Sequence, residues 1–199
     1  MISNICKIEK GTADLAAIFA ECEKVAVYNE LTHKQGLQLR LLCEEIDGML
    51  PNIISDFEGT LWFDFADGVC KINISIIIPQ FNADKKDELI EIAKDKKNAA
   101  AVGIVGKIRS AVEDFFLSED VQTAFYTAPG AINPATGFCE CIDYSYLWTL
   151  DQYRSDIDKD EQAEAWDELE KSVIASAADD VTVGVKGNRA DIVIIKKFA

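Results

Sequence analysis

Histidine occurs once in 199 residues, at His33. A lone imidazole excludes any two-histidine metal site, and no Ser/His/Asp or Cys/His arrangement has support around it. Positive charge is also scarce. Twenty lysines and arginines face 35 aspartates and glutamates, for a formal charge of −15. Double-stranded nucleic acid and anionic membrane are poor partners for such a chain. The first ten residues, M-I-S-N-I-C-K-I-E-K, lack the basic start and apolar run of a signal peptide. No apolar run approaches the length of a membrane span. These absences predict a soluble, cytosolic protein that binds neither nucleic acid nor membrane.

What is present suffices for one large domain. Hydrophobic residues make up 49% of the chain, so a full core can be built, and only 28% are charged, which argues against global disorder. The acid is concentrated over residues 151–170. The six cysteines, Cys6, Cys22, Cys43, Cys70, Cys139 and Cys141, sit mostly in apolar patterns and read as reduced core residues. Cys139 and Cys141 are too close together for a zinc pair and have no second pair. Asp156, Asp158 and Asp160 look like the opening of a calcium loop. However, Glu161 stands where glycine is needed and Asp167 where glutamate closes the loop, so a solvated acidic turn is expected. No metal site follows.

Hydrophobic period sets the organisation. Residues 5–10 predict a short edge strand. Leu15, Ile18, Phe19, Cys22, Val25 and Ala26 recur at helical spacing and predict a first helix over 13–27. Leu39, Leu42, Ile46, Met49 and Ile53 predict a second, with Thr32 as N-cap and Gln35 completing a capping box. Pro51 is expected to kink or end it. Leu37, Leu41, Glu44 and Gly48 fall on its opposite face. That helix is therefore expected to lie between a sheet and a second covering element or ligand. From 58 to 78 the period drops to two. Leu61, Phe63 and Phe65 alternate, then Cys70, Ile72, Ile74 and Ile76, with A-D-G between them, which predicts an antiparallel hairpin with one buried face. A short helix is expected at 84–93. Residues 98–117 begin small and apolar and turn helical, 118–146 form an irregular excursion, and a short strand falls within 144–153. A third long helix is expected over 161–178, with Ala165, Trp166, Leu169, Val173, Ile174 and Ala177 as its stripe. Val181, Val183 and Val185, then Ala190, Ile192 and Ile194, alternate about Gly187 and Asn188 as a closing hairpin.

Two hairpins from distant parts of the chain most simply join one sheet. Its outer face is expected to be partly wet, carrying Lys71, Asn73, Ser75, Thr182 and Lys186. The prediction is a single α+β domain over residues 1–199. It is a two-layer sandwich, with a mixed, mainly antiparallel sheet, helices on one face and an insertion at about 118–146.

Three stretches resemble the ATP-binding domain shared by gyrase, histidine kinases, MutL and the bacterial anti-sigma serine kinases. L-R-L-L-C-E-E-I-D-G-M-L is similar to that family's N-box helix. N-A-A-A-V-G-I-V-G-K-I-R resembles its later glycine-rich box, and D-D-V-T-V-G-V-K-G-N-R-A-D-I-V-I-I-K-K-F its terminal hairpin. Nearly the whole chain, 118–146 apart, is similar to a narrower group of clostridial proteins of this ATP-binding-like type. The resemblance implies ATP with Mg²⁺ as the ligand and Glu44 as general base on the attacking water. It also implies a nucleotide site drawn from Asp47, Gly48, Asp84, Lys97, Asn98, Gly103, Gly106 and Lys107.

Several of these positions depart from the family pattern. Gly48 stands where an asparagine would hold Mg²⁺, and it has no oxygen to donate. Asp47, one residue away, points off another side of the helix. Asp84 stands in for the adenine-binding aspartate of D-x-G-x-G, but no glycine follows it. The helix start around Lys97, Asn98, Gly103, Gly106 and Lys107 suits a phosphate, without a Walker-type motif. Plainer readings exist too. Glu44 has Arg40 one turn back as an ordinary ion-pair partner, Gly103 and Gly106 suit close helix–sheet packing, and His33 suits an exposed helix start. The expected function is that of a degenerate histidine-kinase-like domain. Nucleotide binding would be weakened or lost, and the domain would serve as a regulatory protein-interaction module rather than an enzyme. The alternative is an ATP-binding regulator resembling anti-sigma serine kinases. The protein partner is not named by any motif, and a second copy of the chain stays open as one.

Overall fold

The computed structural model describes residues 1–9, 15–53, 57–77, 106–108, 146–160, 172–186 and 189–198. Strands β1 (Cys6–Glu9), β2 (Glu58–Ala66), β3 (Val69–Ile77), β4 (Tyr146–Thr149), β5 (Asp180–Lys186) and β6 (Arg189–Lys197) form one sheet in the order β1-β2-β3-β6-β5-β4. Every pairing between them is antiparallel. Helices α1 (Leu15–Tyr28), α2 (His33–Ile53), α3 (Leu150–Asp160) and α4 (Val173–Ala177) complete the described elements. The result is the two-layer α+β arrangement that the alternating and helical periods imply. The expected helix at 84–93, the excursion before Tyr146 and the turn at Gly187 and Asn188 lie outside the described residues.

Alternation of side chains along each strand places most of the buried aliphatic groups on one face. A single rung crosses all six strands: Cys6, Leu61, Ile74, Ile192, Val183 and Trp148 stand opposite one another in turn. A parallel rung carries Phe63, Ile72, Ile194 and Val181. The inward faces of α1 (Ile18, Cys22, Val25) and α2 (Leu39, Leu42, Ile46, Met49) close over these rows in the same core cluster. Burial of such side chains, at about 25 cal/mol per Å² of apolar surface, is the main force holding the two layers together.

Local signals fix the connections. Asp67 and Gly68 take positive φ values of 51° and 75° between Ala66 and Val69. Two left-handed residues in a two-residue loop match the twist of a hairpin, and the Asp-Gly pair supplies them. The capping box forms as expected: the Thr32 N–H donates to Gln35 Oε1 at 2.9 Å and the Gln35 N–H to Thr32 Oγ1 at 3.4 Å. At the end of α1, the Leu31 N–H returns to the Ala26 carbonyl and the Glu30 N–H to that of Val27, with Glu30 left-handed at φ 53°. This helix-ending motif usually places glycine there. Pro51 lies inside α2, which runs on to Ile53.

Four expectations are corrected. Asp156–Asp160 are not a turn but the last residues of α3, whose start is capped by Thr149 Oγ1 accepting the Gln152 N–H at 3.1 Å. The long helix over 161–178 does not run through its described part. Ser172 is extended and caps a new five-residue helix, α4, by accepting the Ala175 N–H at 3.2 Å. Serine is a strong N-cap, and its hydroxyl outcompetes helix continuation here. Asn73, expected on a wet face, is only 6% exposed. It sits on one of the two central strands between half-buried Trp62 and Val193, which shield it. The covering helix expected as one alternative over the outer flank of α2 is not found among the described residues: Leu37 is 52% and Leu41 41% exposed.

Glu21 fastens the start of the chain to α1. Its buried carboxylate accepts the Lys24 ammonium at 2.6 Å, the Asn4 side-chain amide at 3.0 Å and the Asn4 backbone N–H at 3.2 Å. The Lys24 and Asn4 hydrogen bonds outweigh burial and hold its pKa below the ordinary 4.5. A lowered folded pKa contributes stability above the ordinary value and loses it as the pH falls through the lowered one. Glu21→Gln is therefore expected to cost about 2 kcal/mol at neutral pH. The deficit should shrink in acid below about pH 4.5, as read by urea unfolding across pH. Two glycines separate backbone need from open space. A Cβ at Gly59 would collide with the Ser75 carbonyl oxygen and lie 3.2 Å from Ile76 Cα, whereas one at Gly48 meets nothing within 4 Å. Gly59→Ala is expected to cost about 2 kcal/mol. Gly48→Ala should add about 1 kcal/mol through helix propensity, measured in the same urea series.

Candidate functional site

The candidate site starts on α2. Because Leu39, Leu42, Ile46 and Met49 face the sheet, residues half a turn away must face outward. Glu44 does so. Its side chain is 49% exposed and accepts Arg40 Nε at 3.2 Å, one turn back. Arg40 also reaches Glu23 Oε1 on α1 at 3.5 Å, and its guanidinium carbon stands 4.6 Å from the centre of the Phe19 ring. Glu44 thus belongs to a surface strip that joins the two helices. The ion pair with Arg40 is the one legible from the i, i+4 spacing.

Asp47 is half-buried and Gly48 exposed on the same helix. Residues 106–108 form a helical turn, with Gly106 and Ile108 buried and Lys107 half-buried. The Lys107 ammonium lies 5.6 Å from the centre of the Tyr153 ring on α3. Tyr153 in turn packs against Trp148 at 6.0 Å between centroids. Lys107 is therefore directed into the corner between β4 and α3, where a cation over an aromatic face is favourable. Asp84, Lys97, Asn98 and Gly103 lie outside the described residues. The structure thus brings Glu44, Asp47 and Gly48 together on α2, and sets Gly106 and Lys107 beside Tyr153. His33 is exposed at the start of α2. Among the described residues no group of three metal-ligating side chains is placed to hold an ion, and no helix is long and apolar enough to cross a membrane.

Leu37 and Leu41, which periodicity put on the outer face of α2, are 52% and 41% exposed; periodicity did not single out Val27 and Tyr28, which are 79% and 73% exposed at the end of α1. Val27 and Tyr28 fall off the buried stripe of α1, which was the available signal.

Compared with models of protein families, with characterised proteins and with solved structures, the chain matches none.

The ion pairs here are solvent-exposed, so screening keeps them weak. Glu44→Ala is expected to change unfolding free energy by no more than about 0.5 kcal/mol. Arg40→Ala should cost about 1 kcal/mol, because the stack on Phe19 is lost as well. Denaturation at low and at high salt would separate the two contributions, since only the ion-pair part is salt-sensitive.

Proposed function

We propose that the chain is a regulatory protein-interaction module on a degenerate histidine-kinase-like scaffold, with nucleotide binding weakened or lost. The observation that carries this reading is the outer surface of α1 and α2. Val27 and Tyr28 at the end of α1, and Leu37 and Leu41 on α2, are large apolar side chains left exposed, and exposed apolar surface is a mark of interaction sites. The carboxylates Glu23 and Glu44 lie along the strip, within a chain of formal charge −15. The partner is therefore a protein surface with an apolar centre and a basic rim, drawn in by charge and held by burial. Loss of nucleotide chemistry is supported by Gly48 in the metal-ligand position and by Glu44 being engaged with Arg40.

The alternative, an ATP-binding regulator, draws on one feature, the open space beside Gly48. Thermal melting distinguishes the two. Millimolar Mg-ATP is expected to leave the melting temperature unchanged, since a ligand that binds the native state raises it by mass action. A rise would install the alternative, and Glu44→Ala would then be expected to keep the shift while losing hydrolysis. For the interaction itself, Leu37→Asp with Leu41→Asp is expected to melt like the parent protein, both positions being exposed. The double variant should fail to retain the partner that the parent chain captures. Equal retention by both would move the docking surface elsewhere.

A further inference from the structure

Two contacts fix how α1 and α2 lie together. A Cβ on Gly36 would stand 3.6 Å from the Ala26 methyl, and Arg40 reaches Glu23 at 3.5 Å. Position 36 meets 26 and position 40 meets 23, so the two helices run antiparallel. Val27 adjoins Ala26 and Leu37 adjoins Gly36. These two exposed side chains therefore fall at the same end of the pair, one on each helix. On α2 the outward face continues through Leu41 and Glu44, both exposed, at steps of four and three. Gly48 follows one turn on, also exposed, and a Cβ there would meet nothing within 4 Å. The outer surface of the pair is thus apolar at one end, charged in the middle and without bulk at Gly48.

The middle is one positive charge short. Glu23 and Glu44 both turn to Arg40, and each contact is single: Arg40 Nη1 to Glu23 Oε1, and Arg40 Nε to Glu44 Oε1. The Phe19 ring holds the guanidinium in place between them. Two carboxylates about one guanidinium leave a formal charge of −1. Over residues 15–53, six carboxylates stand against three lysines and arginines. A second copy of the chain would bring the same excess to the interface, and like charges would meet there. The surface suits a partner of opposite sign.

We infer that the outer face of α1 and α2 receives one amphipathic helix of a partner protein, with an arginine or lysine set in its apolar stripe. This rests on the docking role proposed above and supplies the occupant. Two antiparallel helices side by side leave a shallow groove along their outer side, and a third helix fills it by packing its ridges there. The spacing on α2 sets the pattern on the partner. Leu37 and Leu41 lie about one turn apart and Glu44 just beyond, so the stretch from Leu37 to Glu44 is about 10 Å along the axis. The incoming helix therefore needs two large apolar residues three or four positions apart, and a cation about one turn past them. The apolar pair covers Val27, Leu37 and Leu41. The cation meets Glu23 and Glu44 together and completes the charge balance. Past that point the open space at Gly48 lets the helix run on.

The test is a yeast-displayed library of helix-forming peptides randomised along one face, sorted against the full chain. Clones are kept that bind the parent and not the Leu37→Asp/Leu41→Asp double variant. They are expected to converge on the apolar, apolar, cation spacing and, as synthetic peptides, to turn helical on binding by circular dichroism. Their affinity should fall about tenfold against Glu23→Gln/Glu44→Gln. Replacing the peptide cation by glutamate should abolish binding to the parent, and Glu23→Lys/Glu44→Lys should restore it. That exchange is one that general attraction to an acidic chain cannot produce. If the double variant melts early, Glu23→Gln/Glu44→Gln takes its place in the sort. Absence of any clone that separates parent from variant would remove the docking role itself. Clones that separate them but bind as extended peptides, or without a stripe cation, would overturn the helix and leave the docking role standing. Self-association of the parent that the double variant abolishes would make a second copy the occupant and overturn the helix too.

Discussion

The nine-pair ladder between β3 and β6 is the constraint on which the rest of the molecule depends. Residues near 73 and near 193 are brought together, and without that contact each hairpin would be a two- or three-stranded ribbon with an apolar face in water. The ladder also decides what α1 and α2 can cover. They close over a continuous surface only because Ile72, Ile74 and Ile76 stand opposite Ile194, Ile192 and Ala190 in register. A slip by one residue would turn every one of these side chains to the other face.

Above the sheet, the α1–α2 seam determines the character of the candidate site. Its inner edge is dry and holds two thiols; its outer edge is wet and holds the Glu23–Arg40–Glu44 strip over Phe19. The residue that the family resemblance marks for catalysis is ion-paired within α2, to the arginine that reaches across to α1. Val27, Tyr28, Leu37 and Leu41, which the resemblance does not mark, are exposed. Arg154 plays the matching role at the other end of the sheet, where it donates to the carbonyls of Ala175 and Asp179 and ties α3 to the end of α4 and the approach to β5.

The strands and the two long helices were legible because their patterns are local. Period-two alternation in β2, β3, β5 and β6 names the buried face residue by residue, and Thr32 with Gln35 names a helix start. The errors share a physical cause. Asp156, Asp158 and Asp160 have turn composition, but a cap seven residues earlier, at Thr149, commits them to a helix. Ser172 interrupts a stripe that Trp166, Leu169, Val173 and Ile174 continue on paper. The burial of Asn73 depends on Trp62 and Val193, neighbours across two strands that no local window contains. The same holds for the site. The Arg40–Glu44 pair is a local spacing and could be read; Arg40 against Glu23 requires the register of one helix on another and could not.

The two central strands of the sheet lie far apart in the chain. β3 ends at Ile77 and β6 begins at Arg189, and β6 fills the place between β3 and β5. During synthesis β1–β3 therefore emerge well before their partner, with none of the described strands on the open edge of β3. Such long-range closure is intrinsically slow, and it leaves a nascent β-edge open to other chains in the interval. Protection of that edge by a chaperone would bear on the yield of this protein more than on its final stability.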